Sequence, residues 1–276
     1  MNTENTPDLW QDLYPLPNAE SHKYTRGHAV VVAGKMIGAA RLASRAARRM
    51  GAGLVTVVCE PNAYPIIARD WPGTIVSALG EGKRYTEHLV DEKKNAFLLG
   101  PGGGLDSDLK AKVLYTLEMG VKKGAVIDAD GLNVFKTDSE KLLESLHENC
   151  VITPHEGEFT RLFPDIIGTR EKMAMAAAKR AGCVVVLKGA KTLVASPCGK
   201  LVENTHASPF LATGGTGDVL AGMIVGLMAL SVPAFEAAQM AVWMHGDASK
   251  RIGIGLVAED IIDMIPQVLK SVFVSK

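Results

Sequence analysis

Nine consecutive residues, Ala212-Thr213-Gly214-Gly215-Thr216-Gly217-Asp218-Val219-Leu220, set three glycines before an acid and then open an apolar run from Val219 to Leu230. Glycines at a helix start bring bare backbone N–H groups close to a ligand, and the positive end of the helix dipole adds to their attraction for an anion. Gly214, Gly215, Thr216 and Gly217 thus form a candidate phosphate cradle, with Asp218 beside it as a candidate base. The same acid would also serve as an ordinary first-turn helix residue that complements the dipole without any ligand.

Other clusters follow strand-like runs. Val184 to Leu187 leads into Lys188-Gly189-Ala190-Lys191-Thr192, where two lysines could clamp phosphate as point charges or simply stand solvated. Ile152-Thr153-Pro154-His155-Glu156-Gly157-Glu158 crowds a histidine and two acids at a strand-to-helix junction. His155 could donate to a substrate oxygen or cap the helix, and the spacing is not that of a HExxH zinc site. Asp128 and Asp130 end another strand, where paired carboxylates can hold Mg²⁺ or a polyol, or cap the next helix. Gly100-Pro101-Gly102-Gly103-Gly104-Leu105-Asp106 offers close backbone approach, or a tight turn with an Asp cap. Gly38-Ala39-Ala40 allows the same approach, or close helix packing. Neither GxGxxG nor GxxxxGK[ST] occurs, so a nucleotide would be held in another way.

The elements that must position these clusters alternate along the chain. Strand-like runs are His28 to Ala33, Leu54 to Cys59, Asn95 to Leu99, Ala125 to Ile127, Cys150 to Ile152 and Cys183 to Leu187. They are continuous rather than alternating in polarity, as expected of strands covered on both faces. Helix-like runs are Gly38 to Met50, Asp106 to Met119, Glu156 to Phe163, Thr169 to Ala181, Asp218 to Ala229, Pro233 to Lys250 and Glu259 to Leu269. Leu193 to Ser196 and Lys200 to Glu203 suggest a hairpin around Pro197-Cys198-Gly199. The expectation is an α/β fold, a mostly parallel central sheet with helices on both faces, forming a single domain over residues 1–276.

The 30 basic residues cancel the 30 acidic ones, which gives no electrostatic argument for nucleic acid or an anionic membrane surface. The chemistry of the clusters therefore points to small molecules. No apolar stretch reaches the length of a membrane span, and the first twenty residues are polar and proline-bearing, so a cytoplasmic location is expected. Cys59, Cys150, Cys183 and Cys198 lack CxxC spacing and read as reduced thiols.

Taken in order, GAA, GPGGG, IDADGLN, ITPHEGEF, LKGAKT and ATGGTGDVLAG resemble the ADP/ATP-dependent NAD(P)H-hydrate dehydratases of the ribokinase-like superfamily, over about Gly27 to Ile265. The resemblance implies a repair enzyme that restores NADH or NADPH from the S-epimers of their hydrates, using ADP or ATP as co-substrate with Mg²⁺. It further implies that Ala39, Gly102, His155 and Asp218 contact the hydrated dinucleotide, with Asp218 as the base. Lys188, Gly189, Ala190, Lys191 and Thr192, with Gly214 to Gly217, would hold the nucleotide. Relatives suggest a homotetramer, and a separate protein would supply epimerase activity. Where the family usually has GNPG and GPGLG, this chain reads Ala207-Ser208-Pro209-Phe210 and GPGGG, which leaves nucleotide preference open. Two other readings fit parts of the pattern: a small-molecule kinase of the same fold, acting on a hydroxymethylpyrimidine or hydroxyethylthiazole, and a non-catalytic nucleotide sensor.

Overall fold

The computed structural model describes residues 3–80, 84–119 and 123–274. The strands are β1 (Thr3–Glu4), β2 (His28–Val32), β3 (Leu54–Cys59), β4 (Ile75–Ala78), β5 (Ala96–Leu99), β6 (Gly124–Ile127), β7 (Cys150–Ile152), β8 (Val184–Leu187), β9 (Thr192–Ala195) and β10 (Leu201–Asn204). The helices are α1 (Ile37–Arg49), α2 (Tyr64–Ile67), α3 (Thr86–Val90), α4 (Ser107–Met119), α5 (Asp130–Asn133), α6 (Ser139–Ser145), α7 (Glu156–Leu162), α8 (Arg170–Ala181), α9 (Thr216–Ala229), α10 (Ala234–Ile252) and α11 (Ala258–Phe273). The strands join in one sheet of order β1-β10-β9-β8-β7-β6-β5-β2-β3-β4. Among the described residues only β9 runs antiparallel to its neighbours. The expected mostly parallel sheet and the β9–β10 hairpin are both found.

Continuous apolar runs bury both faces because successive side chains point to opposite sides. Ala29, Val31, Val184 and Val186 enter one core with α1, α9, α10 and α11, while Val30, Val32, Val185 and Leu187 enter another with α4, α6, α7 and α8. Short elements escaped the sequence reading: β4, α2, α3, α5 and α6 span four to seven residues, too few for a period to emerge. The polar N-terminal segment is also more integrated than its composition suggests. β1 pairs with β10, and the buried Asn5 side chain bonds Asn204 and the Gln239 carbonyl while accepting from Trp10.

Two features of this architecture position the strand-end loops. The chain crosses from β2 through α1 to β3 on one side, and returns to place β5 on the other side of β2 with α4 on the opposite face. The loops after β2 and β5 therefore diverge at a switch point, where open α/β sheets form their ligand crevice. Second, α9 is fixed against α1 by a seam of small residues. A Cβ at Gly222 would stand 2.3 Å from the Ala43 carbonyl oxygen, and one at Gly226 2.7 Å from that of Ala47. Such contacts leave room for no side chain and hold the N-terminus of α9 in place.

Gly222→Ala is expected to destabilise the protein by roughly 1–3 kcal/mol, because backbone rather than a flexible side chain opposes the added methyl. Gly38→Ala, at a helical position with nothing within 4 Å of the new methyl, should be neutral or stabilise by up to about 1 kcal/mol. Urea midpoints of the two variants check this contrast.

Candidate functional site

The loops that carry the clusters lie at the carboxyl ends of β2, β5, β6, β7 and β8, and α9 points its N-terminus toward the β6 and β8 ends. The residue types follow from local geometry. After β6 the chain must send two adjacent acids to different partners, and Ala129 adopts φ 50° and ψ −118° to do so. A non-glycine residue in that region carries strain of order 1–3 kcal/mol, as occurs at functional sites. Asp128 turns inward, where its Oδ1 accepts from Thr153 Oγ1 at 2.7 Å and from Lys188 Nζ at 2.8 Å. Asp130 turns toward the GPGGG turn and accepts from the Gly104 N–H at 2.9 Å. Asp106 caps α4 through the Leu109 N–H, so the turn-and-cap reading of this segment is correct.

Lys188 is held from several sides. Its backbone N–H donates to the Pro154 carbonyl, and the Arg170 guanidinium ties the Lys188 and Lys191 carbonyls together behind the loop. Burial by itself would lower the ammonium's pKa, but the charge and hydrogen bond of Asp128, with Glu158 and Asp218 nearby, raise it above the ordinary value. Lys188 is thus a fixed positive charge. Lys191, the second lysine of the cluster, points elsewhere and pairs with Glu203 at 3.0 Å.

His155 begins α7 as its N-cap. Its Nδ1 accepts from the Gly157 N–H at 3.0 Å while Glu158 accepts from the His155 N–H at 2.9 Å, a reciprocal cap. With Nδ1 occupied as an acceptor, the neutral ring carries its proton on Nε2. The capping reading is therefore realised, and Nε2 lies 3.6 Å from Glu158 Oε1. Asn133 bridges from α5 to Glu158 at 3.3 Å.

Gly215 provides the left-handed N-cap of α9 at φ 88°, and Thr216 donates back to the Leu211 and Thr213 carbonyls. Asp218 stands half-buried in the first helical turn. Burial is the first cause that pushes its carboxyl up to about 6, Asp128 and Asp130 add to the rise, and Lys188 opposes it. Among the described residues the causes are burial and charge alone. The base candidate is close to neutral pH, as a proton acceptor requires.

Beside it lies a cavity of 540 Å³ lined by Lys188, Gly189, Ala190, Thr192, Thr216 and Gly217 together with apolar groups such as Leu211, Leu220 and Val242. Two clusters far apart in sequence thus share one cavity of the size of a nucleotide site. Gly214, Gly215, Lys191 and Asp218 are outside the lining, Asp218 adjoining it next to Gly217. Ala39 and Gly102 meet each other, since a Cβ at Gly102 would stand 3.2 Å from that of Ala39. The small residues at the start of α1 therefore serve packing: Ala39 and Ala40 are buried.

Sequence reasoning missed His245. It is buried on α10, lines the same cavity, and lies 3.0 Å from the Thr216 carbonyl through Nε2. Burial lowers its pKa to about 4, so the ring is neutral and its N–H braces the anion loop. The sequence signal was a histidine inside an otherwise apolar helical run. No group of three or more His, Cys, Asp or Glu side chains among the described residues is arranged to hold a metal ion. Mg²⁺ is commonly bound through one or two carboxylates together with nucleotide phosphates rather than by an all-protein cage.

Comparison with known proteins identifies a family. A family model described as NAD(P)H-hydrate dehydratase matches residues 29–267. The chain is 32% identical to the bifunctional NAD(P)H-hydrate repair enzyme of Methanopyrus kandleri, over 96% of this chain and 53% of that protein. It is 35% identical to the ADP-dependent (S)-NAD(P)H-hydrate dehydratase of Neisseria meningitidis, over 88% of this chain and 84% of that one. Among solved structures, the ADP/ATP-dependent NAD(P)H-hydrate dehydratase of Bacillus subtilis, co-crystallised with ATP/Mg²⁺, aligns with TM-score 0.82 at 27% identity, over 98% and 99% of the two chains. The fold is ribokinase-like, as the motifs implied. The chain spans about half the length of the bifunctional relatives it matches.

The Asp218 environment has a thermodynamic signature. Folding raises this carboxyl from its ordinary value near 4 to about 6, so the folded state binds the proton more tightly. Its contribution to stability is complete below pH ~4 and is lost as pH rises through 6. Asp218→Asn should therefore stabilise the protein at pH 8 by roughly 1–2 kcal/mol, after allowance for partial exposure, and make no difference near pH 4. Denaturant titrations at the two pH values check the sign.

Proposed function

This chain belongs to the NAD(P)H-hydrate dehydratase family, and on that premise we propose that it dehydrates the S-epimers of NADH-hydrate and NADPH-hydrate with ADP, or ATP, as phosphoryl donor. The observation that carries the reading is the juxtaposition of Asp218, with a carboxyl pKa raised to about 6, and a nucleotide-sized cavity bounded by Lys188 and Gly217.

Hydroxide is a poor leaving group, and the reaction converts it into phosphate. Asp218 accepts the proton of the ring hydroxyl as its oxygen attacks the terminal phosphorus of ADP, and AMP departs. The C–O bond then breaks with electron donation from the ring nitrogen and releases inorganic phosphate. Loss of a proton from the adjacent carbon restores the double bond, so hydrate and ADP give reduced cofactor, AMP, phosphate and one proton. A placed general base contributes roughly 10²- to 10⁴-fold. The Gly215–Gly217 backbone amides and the α9 dipole face the charge that gathers on the migrating group, and Lys188 adds a fixed cation. The adenine lies against Leu211, Leu220 and Val242, while His155 and the Ala39–Gly102 contact shape the dinucleotide side. Mg²⁺, when bound with the nucleotide, supplies neutralisation of phosphate charge.

We place the protein in the cytoplasm as a homotetramer. Among the described residues no helix is long and apolar enough to cross a membrane, and the tetramer is what the motif resemblance implies. Light scattering on the purified chain is expected to give four times the monomer mass; a monomer would sink the assignment.

Incubation with hydrated NADH, ADP and Mg²⁺ is expected to return dihydronicotinamide absorbance with release of phosphate. Accumulation of a stable phosphorylated product would instead indicate a kinase. Asp218→Asn should retain ADP binding and lose turnover at least about 100-fold. For the parent enzyme, kcat should rise as pH increases through about 6, because the base works in its deprotonated form.

A further inference from the structure

A second cavity, of 690 Å³, opens at the other end of the same row of strand ends, at the β2/β5 switch point. Nothing in the proposed phosphoryl transfer uses it. Its walls come from the loop after β2, the loop after β3 and the start of α4. Gly103 and Ile37 line it, and they are close neighbours in sequence of Gly102 and Ala39, which touch each other. A long ligand whose reacting ring meets Asp218 and which passes over Ala39 and Gly102 would thus run on into this cavity.

The lining carries Glu60, Asp106 and Asp108 against Lys35 and Lys112. Both ammoniums already have partners. Lys35 lies 2.9 Å from Asp106, and the nearly buried Lys112 lies 2.6 Å from Asp108 and 3.4 Å from Glu60. The Glu60 side chain remains 60% exposed, and it ends the strand reached by the first crossover, β2-α1-β3. A carboxylate so placed can accept a hydrogen bond from a ribose 2′-hydroxyl, whereas a 2′-phosphate calls for a free cation. With both lysines engaged and one carboxylate in excess, a 2′-phosphate would meet like charge.

We propose that this cavity holds the adenosine half of the hydrated dinucleotide, with Glu60 accepting from its 2′-hydroxyl, and that the chain thereby prefers the NADH-hydrate over the NADPH-hydrate. The assignment rests on the dehydratase reading above and deepens it by naming a specificity-determining residue. Lys112 keeps Asp108 when Glu60 is changed, so Glu60→Gln tests the charge without stranding a buried cation.

The test is calorimetric titration of the full chain and of Glu60→Gln with NADH, NADPH and ADP, beside turnover of both hydrates. The parent should bind NADH about tenfold or more tightly than NADPH. Glu60→Gln should narrow that ratio to below about threefold, chiefly through tighter NADPH binding, and leave ADP binding and the melting temperature unchanged. Equal or tighter binding of NADPH by the parent, a ratio unmoved by Glu60→Gln, or binding of neither cofactor would overturn the proposal. Normal turnover with an unmoved ratio removes the cavity assignment alone. Glu60-dependent NADH binding without turnover leaves the cavity as a dinucleotide site and removes the dehydratase reading.

Discussion

The ion pair between Lys188 and Asp128 underlies the rest of the site. It spans the sheet from the end of β8 to the end of β6, past β7, whose Thr153 bonds the same carboxylate oxygen. Removing either partner would leave a buried charge uncompensated, a loss of about 3–5 kcal/mol in comparable cases. The pair also sets the electrostatics of its neighbour. Asp128 pushes the Asp218 carboxyl upward and Lys188 holds it down, with burial as the largest influence. A cation placed for phosphate and a base held near neutrality are therefore two consequences of one arrangement.

That arrangement needs α9 to stop at a fixed depth. The glycines of its N-terminus allow a turn no other residue would make cheaply, as Gly215 at φ 88° shows. Depth, however, is decided further along the helix, where Gly222 and Gly226 meet the α1 backbone. His245 supplies the remaining restraint from α10, and its neutrality matters, because an imidazolium beside Lys188 would face like charge. The cost of keeping so polar a group buried is offset by its bond to the Thr216 carbonyl.

Much of this was legible in the sequence, and unevenly so. The long helices and buried strands follow from apolar period and run length, which depend on the chain alone. The short elements β4, α2, α3, α5 and α6 carried no readable period. The anion loop was legible for the same local reason as the helices: glycines, a following acid and an apolar helix form a contiguous pattern. Lys191 shows where that reasoning ends. Its residue type matches Lys188, three positions away, yet one side chain is captured by Asp128 and the other by Glu203. His155 likewise offered a choice between capping and donation that sequence could not make, and the structure shows Nδ1 used for the cap.

The sequence by itself determined the alternation of strands and helices, and with it the placing of most candidate clusters where a strand gives way to a helix; His245, inside α10, is an exception. Those features rest on neighbours a few residues apart. Only the tertiary structure decided which loops share a cavity, that Asp128 meets Lys188 sixty residues away, and that the Asp218 carboxyl moves up to about 6. The physical reason is range: backbone preference is local, whereas desolvation and Coulomb interaction depend on distances that exist only once the sheet has assembled.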